Sequence, residues 1–332
     1  MFPPVGKSRL MNVPFWVWAL TVLGFVVIVT TDLLTADRRP HVISTKEAAL
    51  WVGFYATLAI VFGIALGLIA GWDFGGQYFG GYVTELSLSV DNLFVFVIIL
   101  ASFAVPQEFQ HRVLMIGIVI ALVLRAGLIA LGAAAIEAFS GVFYIFGAFL
   151  LFTAVQLLRH RDAEPEPGKN AVLRFAERVL PTTTDYHGTK LTTIVSDRRV
   201  VTPMLLVILA IGTTDVLFAL DSIPAIFGLT QEPYIVLAAN AFALLGLRQL
   251  YFLINGLLDK LVYLSIGLAV ILGFIGVKLI LHALHESTGT TPEISLPLSL
   301  GVIAAVLIMT TVTSLVKVRR DESAGTSPPA QE

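Results

Sequence analysis

Cysteine is absent from this 332-residue chain and methionine occurs five times. A site built on thiolate or thioether sulfur, the choice of soft metals, is therefore disfavoured. Charge is scarce as well. Asp, Glu, Lys and Arg make up 13% of the residues, about half of what a soluble domain carries, and too little to cover a surface facing water. Nor is there a basic excess: 21 Lys and Arg against 23 Asp and Glu leave a net charge of −2, which speaks against binding nucleic acid. A phosphate-binding loop and a nucleophile–base set are also missing. The chain does not read as an enzyme, and any transport has to draw on an ion gradient rather than on ATP. What is plentiful is apolar residue, at 57%, with a mean hydropathy of +0.87. That excludes a disordered chain and leaves a polytopic membrane protein.

A membrane-spanning helix takes about 20 mostly apolar residues. Runs of that kind fall at 13–30, 47–70, 82–105, 112–136, 139–158, 201–228, 234–254, 260–282 and 295–316, which predicts an all-α protein of about nine transmembrane helices. The runs are continuous rather than alternating, which excludes barrel strands. No small-residue cleavage site follows the first run, so it is expected to be a retained span rather than a signal peptide. The connection 159–200 is the one sizeable polar stretch. It opens on a linker-like run from Asp162 to Gly168, continues as an amphipathic helix over Ala171–Leu180 stopped by Pro181, and turns β-branched from Thr182 to Val201. About 40 residues suffice for a membrane-surface segment but not for a core of their own.

Lys and Arg set the direction. Arg38, Arg39, Lys46, Arg112, the eight basic residues of 159–200, Lys260, Lys317, Arg319 and Arg320 all fall in connections of one parity or in the C-terminal tail. The connections of the other parity carry none. Only Lys7 and Arg9 oppose the pattern. The expected arrangement puts the N-terminus outside and the C-terminus in the cytoplasm.

An acid within a span is expensive and marks a functional site by default. The third run holds Glu85-Leu-Ser-Leu-Ser-Val-Asp91-Asn92 and the sixth holds Asp215-Val-Leu-Phe-Ala-Leu-Asp221-Ser222. Each reads acid, five residues, Asp, then a small polar side chain. Arg125 in the fourth run and Arg248 in the seventh repeat the parallel. Helices two to four and five to seven therefore read as two copies of a three-helix unit, and an odd number of spans inverts one copy relative to the other. An inverted three-plus-three repeat with a site at its interface is a transporter signature. The chain then divides into a first span and connection (1–46), a first repeat (47–136), a second repeat (137–254), two C-terminal spans (255–316) and a disordered tail (317–332).

Counting in from Tyr82 puts Asp91 roughly 13 Å deep, and counting back from Thr230 puts Asp221 at a similar depth. Those two acids are expected to meet at one level, with Glu85 nearer the outside and Asp215 nearer the middle. Six residues turn a helix by about 600°, so the two acids of each motif stand ~120° apart and share a face only if the helix is distorted. Pro224 supplies such a distortion by freeing the carbonyl of Leu220. Carboxylates, an amide, a hydroxyl and a freed carbonyl are hard oxygen ligands suited to Mg²⁺, Ca²⁺ or Mn²⁺. The candidate ligands are Asp91, Asp221, Asn92, Ser222, Glu85 and Asp215, with Arg125 and Arg248 as charge balancers. For each acid alone, a structural ion pair with a buried arginine is the competing reading. Asn240 serves as interhelical glue or as a ligand. His282 and His285, one turn apart, are expected at a solvated helix end, with a metal-holding pair as the competing reading; Lys278 is expected to snorkel, and Gly63-x-x-x-Gly67 to permit close helix packing.

These segments resemble the TerC family of integral membrane proteins, which includes tellurium-resistance and Alx-type members. The resemblance rests on Glu85 to Phe96, on Asp215-Val-Leu-Phe-Ala-Leu-Asp221-Ser222-Ile-Pro224-Ala, on Asn240 to Arg248 and on Gly273-Phe-Ile-Gly276-Val-Lys278. It implies a cytoplasmic-membrane exporter of divalent metal, Mn²⁺ first, with a link to tellurite resistance in some members, and membrane acids at Glu85, Asp91, Asp215 and Asp221. The family usually has Glu three residues before the first Asp of the second motif, where this chain has Gly212. No resident cofactor is implied, and the partners are the transported cation and the bilayer. The reading from another class is a membrane scaffold or insertion-assisting factor that uses 159–200 as its partner surface.

Overall fold

A backbone inside a bilayer has no water to bond with and must satisfy its own N–H and C=O groups, which helices do. A computed structural model of the chain places a helix on each apolar run. It describes residues 11, 13–36, 44–139, 141–159, 181–183, 185–195, 198–254, 263–288, 291 and 294–323, and the side chains of Asp91 and Arg248 lie outside that description. The helices are α1 (Phe15–Ala36), α2 (Thr45–Ala70), α3 (Trp72–Ser102), α4 (Gln107–Ala138), α5 (Val142–Arg159), α6 (Pro203–Phe227), α7 (Pro233–Ile254), α8 (Leu264–Thr288) and α9 (Leu296–Ser323). Among the described residues, eight are long and apolar enough to cross a membrane. The other, α7, carries a shorter apolar stretch, Pro233–Leu247, that stops before Arg248. The chain is an all-α polytopic membrane protein. The β-branched stretch before α6 forms an antiparallel hairpin, β1 (Thr192–Val195) with β2 (Arg198–Val201), pairing Thr192 with Val201. The amphipathic helix expected over Ala171–Leu180 lies outside the described residues.

Two boundaries differ most from the sequence reading. Helix α3 begins at Trp72, ten residues before Tyr82. The glycines of Gly75–Gly81 lower hydropathy there without breaking the helix, because they are packing surfaces. A Cβ on Gly75 would lie 2.9 Å from the Cα of Gly67, and one on Gly81 would lie 3.1 Å from Ile226. Gly63 and Gly67 of α2 thus receive α3 closely, and Gly71 at φ +115°, a conformation open to glycine, is the whole connection between the two helices. At the other end, α9 runs to Ser323 through residues 317–323 that the sequence reading assigns to the tail, since Lys and Arg extend a helix readily.

Helix α7 is the buried centre, packed by α2, α3 and α4. Helix α4 lies parallel to α6, with Gly117 against Ile211 and Gly132 against Phe227. Helix α3 lies parallel to α7: Thr230, just before α7, reaches Gln77 near the start of α3, and Tyr251 near the end of α7 reaches Gln110 just past α3. Helix α5 runs antiparallel to α8, with Phe143 beside His282 and Ala154 beside Gly273. Helix α1 leans on α7 through Trp18–Tyr234 and Phe25–Phe242 ring contacts.

Candidate functional site

Three helices each bring one charged residue to a common point. Glu85 on α3, Arg125 on α4 and Asp215 on α6 are 0%, 1% and 1% exposed. Each lies within about three residues of the midpoint of its helix, so the cluster sits near the centre of the bundle's thickness. Arg125 donates from Nε to Asp215 Oδ2 at 3.0 Å and from Nη2 to Oδ1 at 2.9 Å, a bidentate fork. Its Nη1 pairs with Glu85 Oε1 and also reaches Ser222 Oγ at 3.3 Å. Ser89 Oγ donates to Glu85 Oε1 at 3.3 Å. Glu85 Oε2 is buried and has no partner among the described residues. The sequence reading put Asp215 near the middle, where it lies, and Glu85 nearer the outside; Glu85 instead shares Arg125 with Asp215. The error in depth follows from starting α3 at Tyr82 rather than Trp72.

Helical geometry explains which residues join. Seven residues turn a helix by about 700°, returning to the same face, while six leave ~120°. Ser222 is seven residues after Asp215, and both meet Arg125. Asp221 is six after Asp215 and faces elsewhere: its Oδ1 accepts from Thr153 Oγ1 of α5 at 3.0 Å. Pro224, one turn on, leaves the two acids in separate places. On α3, Asn92 is seven residues after Glu85. It is buried, and its Nδ2 has no partner among the described residues. The same holds for Asn240 on α7. Gly212 is buried one turn before Asp215, and a Cβ there would stand 3.3 Å from Ile120.

Sequence reasoning missed Thr153. The available signal was a lone hydroxyl: Thr153 is the only Ser or Thr in α5. The remaining candidates lie at helix ends or pack locally. His282 Nε2 meets Gln231 Nε2 at 2.8 Å, His285 meets the carbonyl of Thr291, and Lys278 Nζ donates to Ser299 Oγ at 2.9 Å. A cavity of about 340 Å³ beside Leu220 and Pro224 is lined by apolar side chains such as Leu128, Phe146 and Phe149, and offers no ligand. Among the described residues no three His, Cys, Asp or Glu side chains converge to hold a metal ion.

The family model for the Integral membrane protein TerC family matches residues 70–322, which contain the whole of this cluster. The chain belongs to the TerC family. Among its relatives, an uncharacterized membrane protein of Mycobacterium tuberculosis is 49% identical over 312 residues, covering 90% of this chain and 78% of its own length. A thylakoid membrane protein TERC of Arabidopsis thaliana is 42% identical over 263 residues, covering 78% of this chain and 67% of its own. A protein of Escherichia coli, proposed as a membrane-bound redox modulator and called Alx, is 37% identical over 313 residues, covering 90% and 95%. No solved structure matches this TerC chain.

Proposed function

We propose that this TerC protein exports a hard divalent cation, Mn²⁺ first, across the cytoplasmic membrane, and that it is a transporter rather than an enzyme. The observation that carries the reading is the buried Glu85–Arg125–Asp215 network, formally of charge −1, with one carboxylate oxygen left unpaired. An ionised group at bilayer depth is costly and persists where a pathway uses it. Glu85 and Asp215 would hold the cation once Arg125 releases them, with Ser222, Ser89 and Asn92 as neutral oxygen ligands. Asp91 and Asp221 would form the adjoining stations, Asp221 steadied by Thr153. The inverted repeat is supported by packing: α3 parallel on α7 and α4 parallel on α6 are the two contacts that exchanging the three-helix units would interconvert. The basic residues favour an N-terminus outside and a C-terminus in the cytoplasm. Tellurite, an anion, would be repelled by the acids, so any resistance to it would be indirect. A thiol-based redox role has no support in a chain without cysteine.

The forked Arg125–Asp215 pair favours a second reading, a scaffold or insertion-assisting factor in which the acids are structural. One experiment separates the two. Wild type, Glu85→Gln, Asp91→Asn and Asp221→Asn are expressed in a strain lacking its own manganese exporters, and intracellular Mn and growth under Mn load are measured. Wild type is expected to lower Mn and protect; the variants, inserted normally, are expected not to. If wild type does neither, the exporter reading fails. If the variants work as wild type does, these acids are not its ligands.

A further inference from the structure

A groove of about 650 Å³ runs between α8 and α9 and shares no lining residue with the charged cluster. The helices approach closely where a Cβ on Gly267 would collide with Thr310, and both residues line the groove. The walls face outward: Val270, Met309 and Val312 are 47%, 64% and 52% exposed. The hydroxyls of Thr310 and Thr313 donate to the carbonyls of Val306 and Met309 in their own helix, so the walls present apolar atoms to an occupant. Polarity is confined to one end. There Lys317 Nζ stands 5.3 Å over the Tyr263 ring, and Arg320, one turn on, lines the same groove.

Length and charge together define the occupant. From Val306 to Lys317 is eleven residues, about 16 Å of helix, which matches one leaflet of a hydrocarbon core about 30 Å thick. Two cations at the mouth of an apolar trough one leaflet long complement a molecule with an anionic head and an apolar chain. Among the described lining residues no carboxylate offers a divalent cation a ligand, and Lys317 and Arg320 would repel it. We propose that the α8–α9 groove binds an anionic phospholipid. The phosphate lies between Lys317 and Arg320 and an acyl chain lies over Gly267 and Thr310. Arg319, on the same helix end but not lining the groove, takes no part.

The purified full chain in detergent is titrated with phosphatidylglycerol, with phosphatidylcholine of the same acyl chains and with inorganic phosphate, read by intact-complex mass spectrometry and by unfolding temperature. Phosphatidylglycerol is expected to bind saturably as one molecule per chain and to raise the unfolding temperature; phosphatidylcholine and phosphate are expected to bind more weakly. Lys317→Gln and Arg320→Gln should each weaken phosphatidylglycerol about five-fold, Lys317→Arg should retain it, and Arg319→Gln should change nothing. Val312→Trp, which fills the groove, should abolish retention. The proposal is overturned if the two lipids bind alike, or if Arg319→Gln costs as much as Lys317→Gln. It also fails if Val312→Trp converts a dimer to a monomer while lipid retention is unchanged, which would make a second copy of the chain the occupant.

Discussion

Arg125 and Asp215, ninety residues apart in the chain, meet through two parallel hydrogen bonds of 3.0 and 2.9 Å in the buried centre of the helix bundle. The fork fixes the position of α4 against α6, and the remaining guanidinium nitrogen ties in α3 through Glu85. One arginine therefore joins both proposed repeats. Its removal would leave two buried carboxylates without a counter-charge.

Arg125→Gln is expected to destabilise the protein by about 3–5 kcal/mol, because breaking one partner of a buried ion pair exposes the full desolvation cost of the other. Arg125→Lys should recover only part, since an ammonium cannot reproduce the planar fork. Combining Arg125→Gln with Glu85→Gln and Asp215→Asn should restore much of the loss. Thermal unfolding in detergent reads all of these. An Arg125→Gln protein as stable as wild type would mean the network is not ionised as drawn.

Thr153→Val removes the hydroxyl that Asp221 accepts from. If Asp221 is a transport acid steadied by Thr153, the change should slow Mn efflux by the equivalent of about 1.5–3 kcal/mol, the usual worth of a hydrogen bond to a charged group. Thr153→Ser should stay near wild type. In an Asp221→Asn background, Thr153→Val should add little, since the two side chains act as a unit. Additive losses in efflux would separate the two residues.

Gly147 of α5 and Gly276 of α8 meet backbone to backbone: a Cβ on Gly147 would lie 2.8 Å from the Gly276 carbonyl, and one on Gly276 would lie 2.9 Å from the Gly147 carbonyl. Neither carbonyl can retreat as a side chain can. Gly147→Leu is expected to cost at least ~1–3 kcal/mol of stability by overpacking. Gly127→Leu, on α4 with nothing within 4 Å of its Cβ position, should cost far less. Comparable unfolding temperatures for the two variants would contradict the close contact.

Glu232, in the turn between α6 and α7, accepts the Met11 backbone N–H at 2.8 Å. Burial holds its carboxyl above the ordinary Glu range, and the Met11 bond offsets part of that. A raised carboxyl favours the protonated form when folded. Its stabilising contribution is therefore present below the ordinary Glu pKa and is lost as pH rises through the folded value. Glu232→Gln, which keeps the acceptor and removes the titration, should match wild type at pH 4 and unfold at a higher temperature by pH 8. Parallel curves across that range would rule out a titrating Glu232.

The helices were legible because a bilayer leaves a backbone few choices, and each apolar run became one. The start of α3 was not. Gly75, Gly76, Gly80 and Gly81 lower hydropathy while serving as contact surfaces, and a composition window does not distinguish the two roles. Among the site residues, Glu85, Asp215 and Arg125 stand out as charges in apolar runs, yet the sequence does not say which acid the arginine chooses. Helical rotation contained part of the answer: Ser222 returns to the face of Asp215 and Asp221 does not. The partner of Asp221 lies on α5, beyond what periodicity within one helix can report.

The Gly147–Gly276 contact also has a mechanical consequence. At that point the two helices touch through main chain, with no side chain between them to shear, which couples their movement. Helix α5 carries Thr153 and so holds Asp221 of α6, while its other side is clasped to α8. If the second three-helix unit rocks as proposed, α8 would be carried with it, so that four helices rather than three would move against the first unit.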